Sequence, residues 1–116
     1  TLPPFVDLEY GGNCKTEKSR DEIKKEIYTF LETVKNHYGK SPVLYATDSF
    51  YKDYIENDYL EYDIWIRNII SRPKLENNRK WIFWQYANRG HLKGINGFVD
   101  LNVFYGSEEE YRKFIK

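Results

Sequence analysis

Two hydrophobic patterns follow one another along the chain: short runs in which apolar and polar residues alternate, and longer stretches in which apolar residues recur with helical spacing. The short runs predict five strands, at Pro4–Tyr10, Pro42–Ala46, Tyr62–Arg67, Trp81–Tyr86 and Phe98–Val103. Strands that alternate with helices favour a parallel sheet with crossover connections. We therefore expect an α/β fold with about five mainly parallel strands.

The helix after the first strand has clear predicted boundaries. Ser19 and Glu22 fit a capping box at its start, while Gly39 and then Pro42 end it. Helical spacing predicts one buried stripe, made of Ile23, Ile27, Phe30, Leu31, Val34 and Tyr38.

Two shorter helices are predicted further along the chain. One begins at Thr47, Asp48 or Ser49 and carries Phe50, Tyr51, Tyr54 and Ile55. The other begins at Ser107, which pairs with Glu110 in a capping box, and turns Tyr111, Phe114 and Ile115 inward.

The remaining segments read as turns and loops. Gly11-Gly12-Asn13 predicts a turn, Arg72–Lys80 a polar surface loop, and Asn88–Asn96 a loop or a hairpin. A closed β/α barrel needs eight strands and rarely fewer than about 200 residues. The pattern alone leaves open a small open parallel sheet or part of a barrel.

Length and composition bound the function. The 116 residues suit a single domain spanning 1–116, with 41% hydrophobic residues. Equal numbers of basic and acidic residues, 18 each, remove the main electrostatic argument for a nucleic acid or an anionic membrane as partner. No apolar run approaches the roughly 20 residues that span a bilayer, and the start of the chain does not read as a signal peptide.

Cysteine and histidine usage indicates no cofactor. Cys14 is the only cysteine, so an intrachain disulfide is excluded, and a functional thiol is the less expected reading. His37 and His91 lie far apart in sequence and give no zinc-type spacing. The unusual feature is instead the 18% aromatic content, which suits either a core or stacking on sugar rings.

Asp7 and Glu9 are the leading candidates for chemistry. They lie two positions apart on a predicted strand, so both side chains point to one face, with Cα atoms about 6.6 Å apart. The carboxyl ends of parallel strands are where ligands bind. Two carboxylates there suit glycoside hydrolysis, which needs an acid and a second carboxylate. Two solvated acids before a turn are the alternative.

The later strands carry similar candidates. Asp100 and Asn102 share one face of the last strand, with a loop-tying aspartate as the alternative reading. Tyr45, Trp65 and the run Trp84-Gln85-Tyr86 lie near strand ends, where aromatic residues belong either to a core or to a cleft. Lysine and arginine residues are scattered and read as solvated faces.

Five segments in this order resemble glycoside hydrolase family 25, the lysozymes that cleave the β-1,4 bond between N-acetylmuramic acid and N-acetylglucosamine. They are FVDLEY, SPVLYATDSF, YDIWIR, WIFWQYANRG and GINGFVDLNVF, and they span Pro4 to about Gly106. The resemblance implies an irregular β/α barrel, with these segments matching its part from the fourth strand onward.

The resemblance also implies roles for individual residues. Glu9 matches the general acid, Asp7 its acidic partner and Asp100 the aspartate of the last strand that lines the cleft. Matches to positions that contact the sugar chain or form the cleft wall are Tyr45, Trp65, Gln85 and Tyr86. Asn102, on the same face as Asp100, is a further substrate-binding candidate. The implied partner is peptidoglycan, with no cofactor, and the implied location is extracellular or at the cell wall.

One departure from the family changes the expectations. The family's opening strand carries an early aspartate in a G-x-D-x-S type segment, and nothing before Pro3 supplies it. Arg67 also stands where a small residue is common. A peptidoglycan hydrolase is expected, with a non-catalytic wall-binding module or an idle fragment as alternatives. Open sheet edges at Pro4–Glu9 and Phe98–Val103 would favour self-association, direct closure between these strands, or a partner fragment.

Overall fold

The computed structural model describes residues 2–11, 18–76 and 79–116, and within them a single five-stranded sheet carries the fold. The strands are β1 (Phe5–Leu8), β2 (Val43–Thr47), β3 (Ile64–Arg67), β4 (Trp81–Gly90) and β5 (Val99–Phe104). The helices are α1 (Arg20–Tyr38), α2 (Asp48–Phe50), which continues as a π-helical turn over Tyr51–Ile55, and α3 (Glu108–Phe114). The predicted strands and helices are therefore confirmed, with small shifts at their ends.

The sheet is mixed in direction. The strands β1 to β4 are parallel to one another, whereas β5 is antiparallel to β4. β4 extends to Gly90, so the segment Asn88–Asn96 begins within the strand. Of the two alternatives predicted for this segment, a loop or a hairpin, the hairpin is correct. A Cβ on Gly90 would lie 2.6 Å from the Leu101 side chain, so this close pairing needs glycine.

The strands lie in the order β1-β2-β3-β4-β5, which leaves β1 and β5 at opposite edges. The expectation that the first and last strands would close the sheet by direct contact is wrong for the described residues. The sheet is therefore open and forms part of a barrel. Its first edge is β1, which pairs in parallel with β2, and its last edge is β5, which forms a hairpin with β4.

The core lies on one face of this sheet, beneath α1. Strand alternation gives that face its buried side chains, Val6, Leu8, Leu44, Ala46, Ile64 and Ile66. From α1, Ile27 and Leu31 are buried against them, and each such side chain contributes about 1.5–3 kcal/mol.

Two members of the predicted helix stripe are misplaced. Phe30 is 54% exposed and Tyr38 is 62% exposed, while Ile23 and Val34 are partly buried against the core. Phe30 lies on the flank of α1, where it lines a surface hollow with Lys25, Glu26, Thr29 and Thr33 of its own helix. The contact of α1 with the sheet is thus narrower than the sequence pattern indicates.

The predicted helix ends are confirmed, with one of the two hydrogen bonds of the predicted Ser19–Glu22 capping box. The Ser19 hydroxyl accepts the Glu22 backbone N–H, and Gly39 takes a left-handed conformation with φ of 69°. Ser107 and Glu110 form a complete capping box at the start of α3. Of the α3 residues expected to point inward, only Phe114 is half-buried; Tyr111 and Ile115 remain 40% and 39% exposed.

Arg79 is not on a solvated face, contrary to the expectation for basic residues. Its guanidinium is half-buried and donates to four backbone carbonyls, those of Ile55, Asp58, Tyr59 and Tyr62, at 2.9, 2.9, 2.7 and 3.3 Å. Tyr59 has a positive φ of 55°, which costs energy for a tyrosine. Arg79 therefore holds the connection between the π-helical turn and β3 in place.

Three sequence predictions fall partly or wholly outside the described residues: Cys14, the later part of the Gly11-Gly12-Asn13 turn, and the middle of the Arg72–Lys80 loop. Across the described ranges, no helix has the length and apolar character that crossing a membrane requires.

Candidate active site

Strand alternation places a second set of side chains on the face opposite the core. In one row across this face, Asp7 lies beside Tyr45, Tyr45 beside Trp65, and Trp65 beside Phe83. In the next row towards the carboxyl ends, Arg67 lies between Thr47 and Gln85. Glu9 comes two residues after Asp7, just beyond the end of β1.

These rows form an open cleft of about 360 Å³. Its lining residues combine three carboxylates with aromatic and amide side chains, namely Phe5, Asp7, Glu9, Tyr45, Trp65, Gln85 and Asp100. Six of the predicted site residues are thus brought together at one end of the sheet. The three acidic side chains are exposed in this open cleft.

Asp100 reaches the cleft because β5 runs antiparallel to β4. Val99 pairs with Gly90, so the start of β5 lies at the end of β4. An aspartate near the beginning of β5 therefore meets the carboxyl ends of the parallel strands. The position of Asp100 near the site is as expected, although the direction of its strand is not.

Hydrogen bonds fix the cleft wall. The Tyr45 hydroxyl donates to Gln85 Oε1 at 2.6 Å, and Gln85 is buried at 3% exposure. The Trp65 indole N–H donates to Asn102 Oδ1 at 2.8 Å. The rings of Tyr45 and Trp65 meet edge to face, with centroids 5.0 Å apart. Both aromatic side chains are thereby held in one orientation before any ligand arrives.

An aromatic cluster packs against Trp65 and supports the cleft wall. Phe83 lies 5.9 Å from Trp65 and 5.3 Å from Phe104, measured between ring centroids. Phe114 of α3 packs on Phe83 at 5.4 Å. The last helix therefore lies against the cleft face of the sheet, at the end away from the carboxylates.

The charges around the cleft act on the Tyr45 hydroxyl. Burial raises the pKa of Tyr45 above its ordinary value. The positive charge of Arg67 opposes this rise in the pKa, whereas the negative charges of the carboxylates add to it, in the order Glu9, Asp7 and Asp100. At neutral pH Tyr45 is consequently protonated and able to donate to Gln85.

Two predicted site residues do not line the cleft: Asn102, which accepts the Trp65 indole N–H, and Tyr86. Tyr86 follows Gln85 on β4, and its ring packs on Trp84 at 5.8 Å, while Gln85 faces the cleft. Adjacent strand residues point to opposite faces, so a cleft role for Gln85 removes Tyr86 from the same wall. Tyr86 is instead 41% exposed, away from the lining residues.

Phe5 is a lining residue that sequence reasoning missed. It lies two positions before Asp7, and the same period-two argument that joined Asp7 to Glu9 would have found it. Its ring contacts Trp65, with centroids 5.5 Å apart. Phe5 therefore extends the aromatic wall to the edge strand.

The arrangement suits acid-assisted cleavage of a glycosidic bond. Carboxyl groups can protonate a leaving oxygen and stabilise positive charge, and flat aromatic faces complement the apolar faces of sugar rings. Among the described residues, no group of three or more His, Cys, Asp or Glu is arranged to hold a metal ion. The fold and cleft together define the class of carbohydrate-cleaving β/α proteins.

Comparison with known proteins gives the family. The profile described as "Glycosyl hydrolases family 25" matches residues 1–95, and the chain belongs to this family. A solved family 25 glycosyl hydrolase from Bacillus anthracis superposes with a TM-score of 0.87 at 46% identity, over 97% of this chain and 54% of that chain.

Two curated relatives match at lower identity. The protein YegX of Escherichia coli O157:H7 is 35% identical over 114 residues, which are 98% of this chain and 40% of YegX. Lysozyme M1 of Streptomyces globisporus is 28% identical over 115 residues, covering 92% of this chain and 39% of that protein. The chain thus spans about two fifths of the length of these curated relatives.

Proposed function

We propose that the chain provides the catalytic wall of a lysozyme that hydrolyses the β-1,4 bond between N-acetylmuramic acid and N-acetylglucosamine in peptidoglycan. The observation that carries the proposal is the cleft in which Asp7, Glu9 and Asp100 lie beside Tyr45 and Trp65. Family 25 membership and the similarity to Lysozyme M1 support the same reaction. Peptidoglycan strands would be the partner, and the site of action would be the cell wall.

The acidic residues divide the chemistry. Glu9 protonates the glycosidic oxygen as the bond to the sugar breaks. Asp7 stabilises the positive charge that develops on the sugar, either directly or by orienting the substrate's own N-acetyl group. Asp100 lines the same cleft and holds substrate or water. No metal or organic cofactor takes part, since protonation and charge stabilisation supply the rate enhancement.

The wall residues position the glycan. Tyr45 and Trp65 present rings to the sugars, and the ring of Trp65 is held by Asn102. The buried Gln85 orients the Tyr45 hydroxyl. A pre-oriented wall loses little conformational entropy on binding, which favours affinity for a flexible polysaccharide.

Binding to the bacterial cell wall without hydrolysis is the second candidate function. It is favoured by the edge position of β1, which leaves the cleft without a neighbouring wall beside Asp7 and Glu9 in the described residues. A cleft open on one side retains water around the acids, and water weakens the electrostatic stabilisation on which catalysis depends.

Two assays on the same protein separate these functions. Clearing of a bacterial cell-wall suspension supports the lysozyme, whereas retention on insoluble peptidoglycan without clearing supports the binding module. Asp100→Asn serves as the test variant, and Asp63→Asn, an exposed position before β3, serves as its matched control. If the wild-type chain shows neither clearing nor retention, both candidate functions are contradicted.

A further inference from the structure

We propose, on the basis of the proposed function, that Arg67 and the groove beyond it bind a carboxylate on the branch carried by N-acetylmuramic acid. The groove adjoins the carboxylate cleft and has a volume of about 490 Å³. It is lined by the strand ends Thr47 and Arg67, by Asp48, Ser49 and Lys52 of the helical segment after β2, and by the loop of residues 68–71 after β3. The glycan would lie in the cleft, and its branch would enter this groove.

The position of Arg67 links the two spaces. It lies in the strand row of Gln85, one row beyond Tyr45 and Trp65. Arg67 is a half-buried residue, and its charge acts on the Tyr45 hydroxyl inside the cleft. A cation placed here can contact a substituent that extends from a sugar bound against Tyr45 and Trp65.

Arg67 also gives the groove its net positive charge. Lys52 and Asp48 form an ion pair across one helical turn, with Nζ and Oδ2 3.1 Å apart, and so neutralise each other. Across the described ranges, none of the ion pairs includes Arg67. A guanidinium binds a carboxylate through two parallel N–H donors, which makes it the better match for this ligand than an ammonium group.

The far side of the groove is apolar and fixed in place. Ile70 is 93% exposed and Ile69 is 50% exposed. The Asn68 side-chain oxygen accepts the backbone N–H groups of Ile70 and Ser71, each at 3.1 Å. The Trp84 indole donates to the Asn68 carbonyl at 2.8 Å, which ties this loop to β4. Exposed isoleucines beside a cation suit a branch that carries methyl groups as well as a carboxylate.

Muramic acid offers such a branch in two forms. Its lactyl ether ends in a free carboxylate, or it carries a short peptide whose residues add methyl and carboxylate groups. Both forms share a carboxylate next to methyl groups, so both fit Arg67 with the isoleucine side of the groove. A glycan made only of N-acetylglucosamine lacks this branch and provides the reference ligand.

The test is a calorimetric measurement of Kd for three soluble glycans with the full chain. The ligands are an N-acetylglucosamine oligomer, glycan strands with free lactyl groups, and strands that keep their peptides. The variants are Arg67→Met, Ile70→Ser and the control Arg112→Met, an exposed arginine paired with Glu108 on α3. Arg67→Met should weaken binding of both carboxylate-bearing glycans about tenfold, with the oligomer and the control unchanged.

Each outcome decides the inference. A loss with Ile70→Ser confined to peptide-bearing strands identifies the peptide as the group in the groove, and a loss confined to strands with free lactyl groups identifies the lactyl ether. An equal effect of Arg67→Met on all three ligands, or no effect, would overturn the inference while leaving the proposed function standing. If no glycan binds the wild type, both are overturned. Should Arg67→Met fail to fold, the wild type gives the answer, because salt should weaken binding of only the carboxylate-bearing strands.

Discussion

Trp65 on β3 and Asn102 on β5 are joined by a hydrogen bond of 2.8 Å from the indole N–H to the amide oxygen. β4 lies between the two strands, so the bond ties three strands of the sheet together on its cleft face. The Trp65 ring is then a fixed surface beside the carboxylates. Through this bond the fold orients a predicted sugar-binding residue.

A double-mutant cycle measures this contact. Trp65→Phe keeps an aromatic ring but removes the donor, and Asn102→Ala removes the acceptor. Urea unfolding should give a coupling energy of about 1 kcal/mol between the two substitutions, the usual net value of one hydrogen bond. Strictly additive effects would mean that the bond does not contribute to stability or to the orientation of the ring.

Arg79→Met should be among the most destabilising single substitutions. It removes four hydrogen bonds to carbonyls around the π-helical turn, including the bond that supports Tyr59 at its positive φ. The expected loss in the free energy of unfolding is about 3 kcal/mol, because several carbonyls lose their donor at once. The matched control Arg112→Met should change stability by less than about 0.5 kcal/mol. Similar losses for the two variants would refute this role.

Tyr59 should make the fold sensitive to alkali. Burial first, and the nearby negative charge of Asp58 second, raise the pKa of Tyr59 from 10.0 to about 12. The folded chain then holds this proton more tightly than the unfolded chain, so its contribution is complete below pH 10 and is lost as the pH rises towards 12.

Unfolding measured at pH 8, 10 and 12 checks this prediction. Tyr59→Phe should flatten part of the loss above pH 10, while lowering stability at pH 8 through loss of the 2.6 Å bond to the Lys24 carbonyl. Tyr105→Phe, at a 45% exposed tyrosine, is the comparison variant. An unchanged alkaline slope in Tyr59→Phe would show that other groups account for it.

The edge strand β1 should drive association of the isolated 116-residue chain. β1 has no strand neighbour on its outer side among the described residues, and Phe5 on it is 40% exposed. Unpaired backbone groups beside apolar side chains recruit another strand. Sedimentation velocity should give a mass that rises with concentration, and Phe5→Lys, which replaces the exposed apolar side chain of β1 with a charge, should reduce that rise. A compact monomer at every concentration would contradict the prediction.

The sequence was informative wherever a local pattern decides structure. Period-two alternation was enough to place Asp7 with Glu9 and Asp100 with Asn102, and the capping residues Ser19 and Ser107 marked their helix starts correctly. These features depend on residues within one turn or one strand. For the same reason the candidate cleft could be assembled from strand ends alone.

Long-range relationships were beyond local patterns. The carbonyls that Arg79 binds lie 17 to 24 residues away, so no spacing indicates them. The reversed direction of β5 depends on how the Gly90 hairpin pairs, which alternation does not specify. Phe30 was assigned to the core because helical spacing cannot tell how wide a face the sheet will cover. Tyr86 was misplaced because a motif, not its strand position, put it in the cleft.

The most direct test of the central claim is the release of reducing sugar from peptidoglycan by wild type and Glu9→Gln. Both are measured in a chimera in which the unmatched upstream part of the Bacillus anthracis hydrolase precedes this chain and pairs β1. Glu61→Gln, an exposed acid before β3, is the control. We predict a loss of about 10²–10⁴-fold for Glu9→Gln with folding and glycan binding retained, and no loss for the control. Turnover above about a tenth of the wild-type rate in Glu9→Gln would contradict the assignment of Glu9 as the general acid.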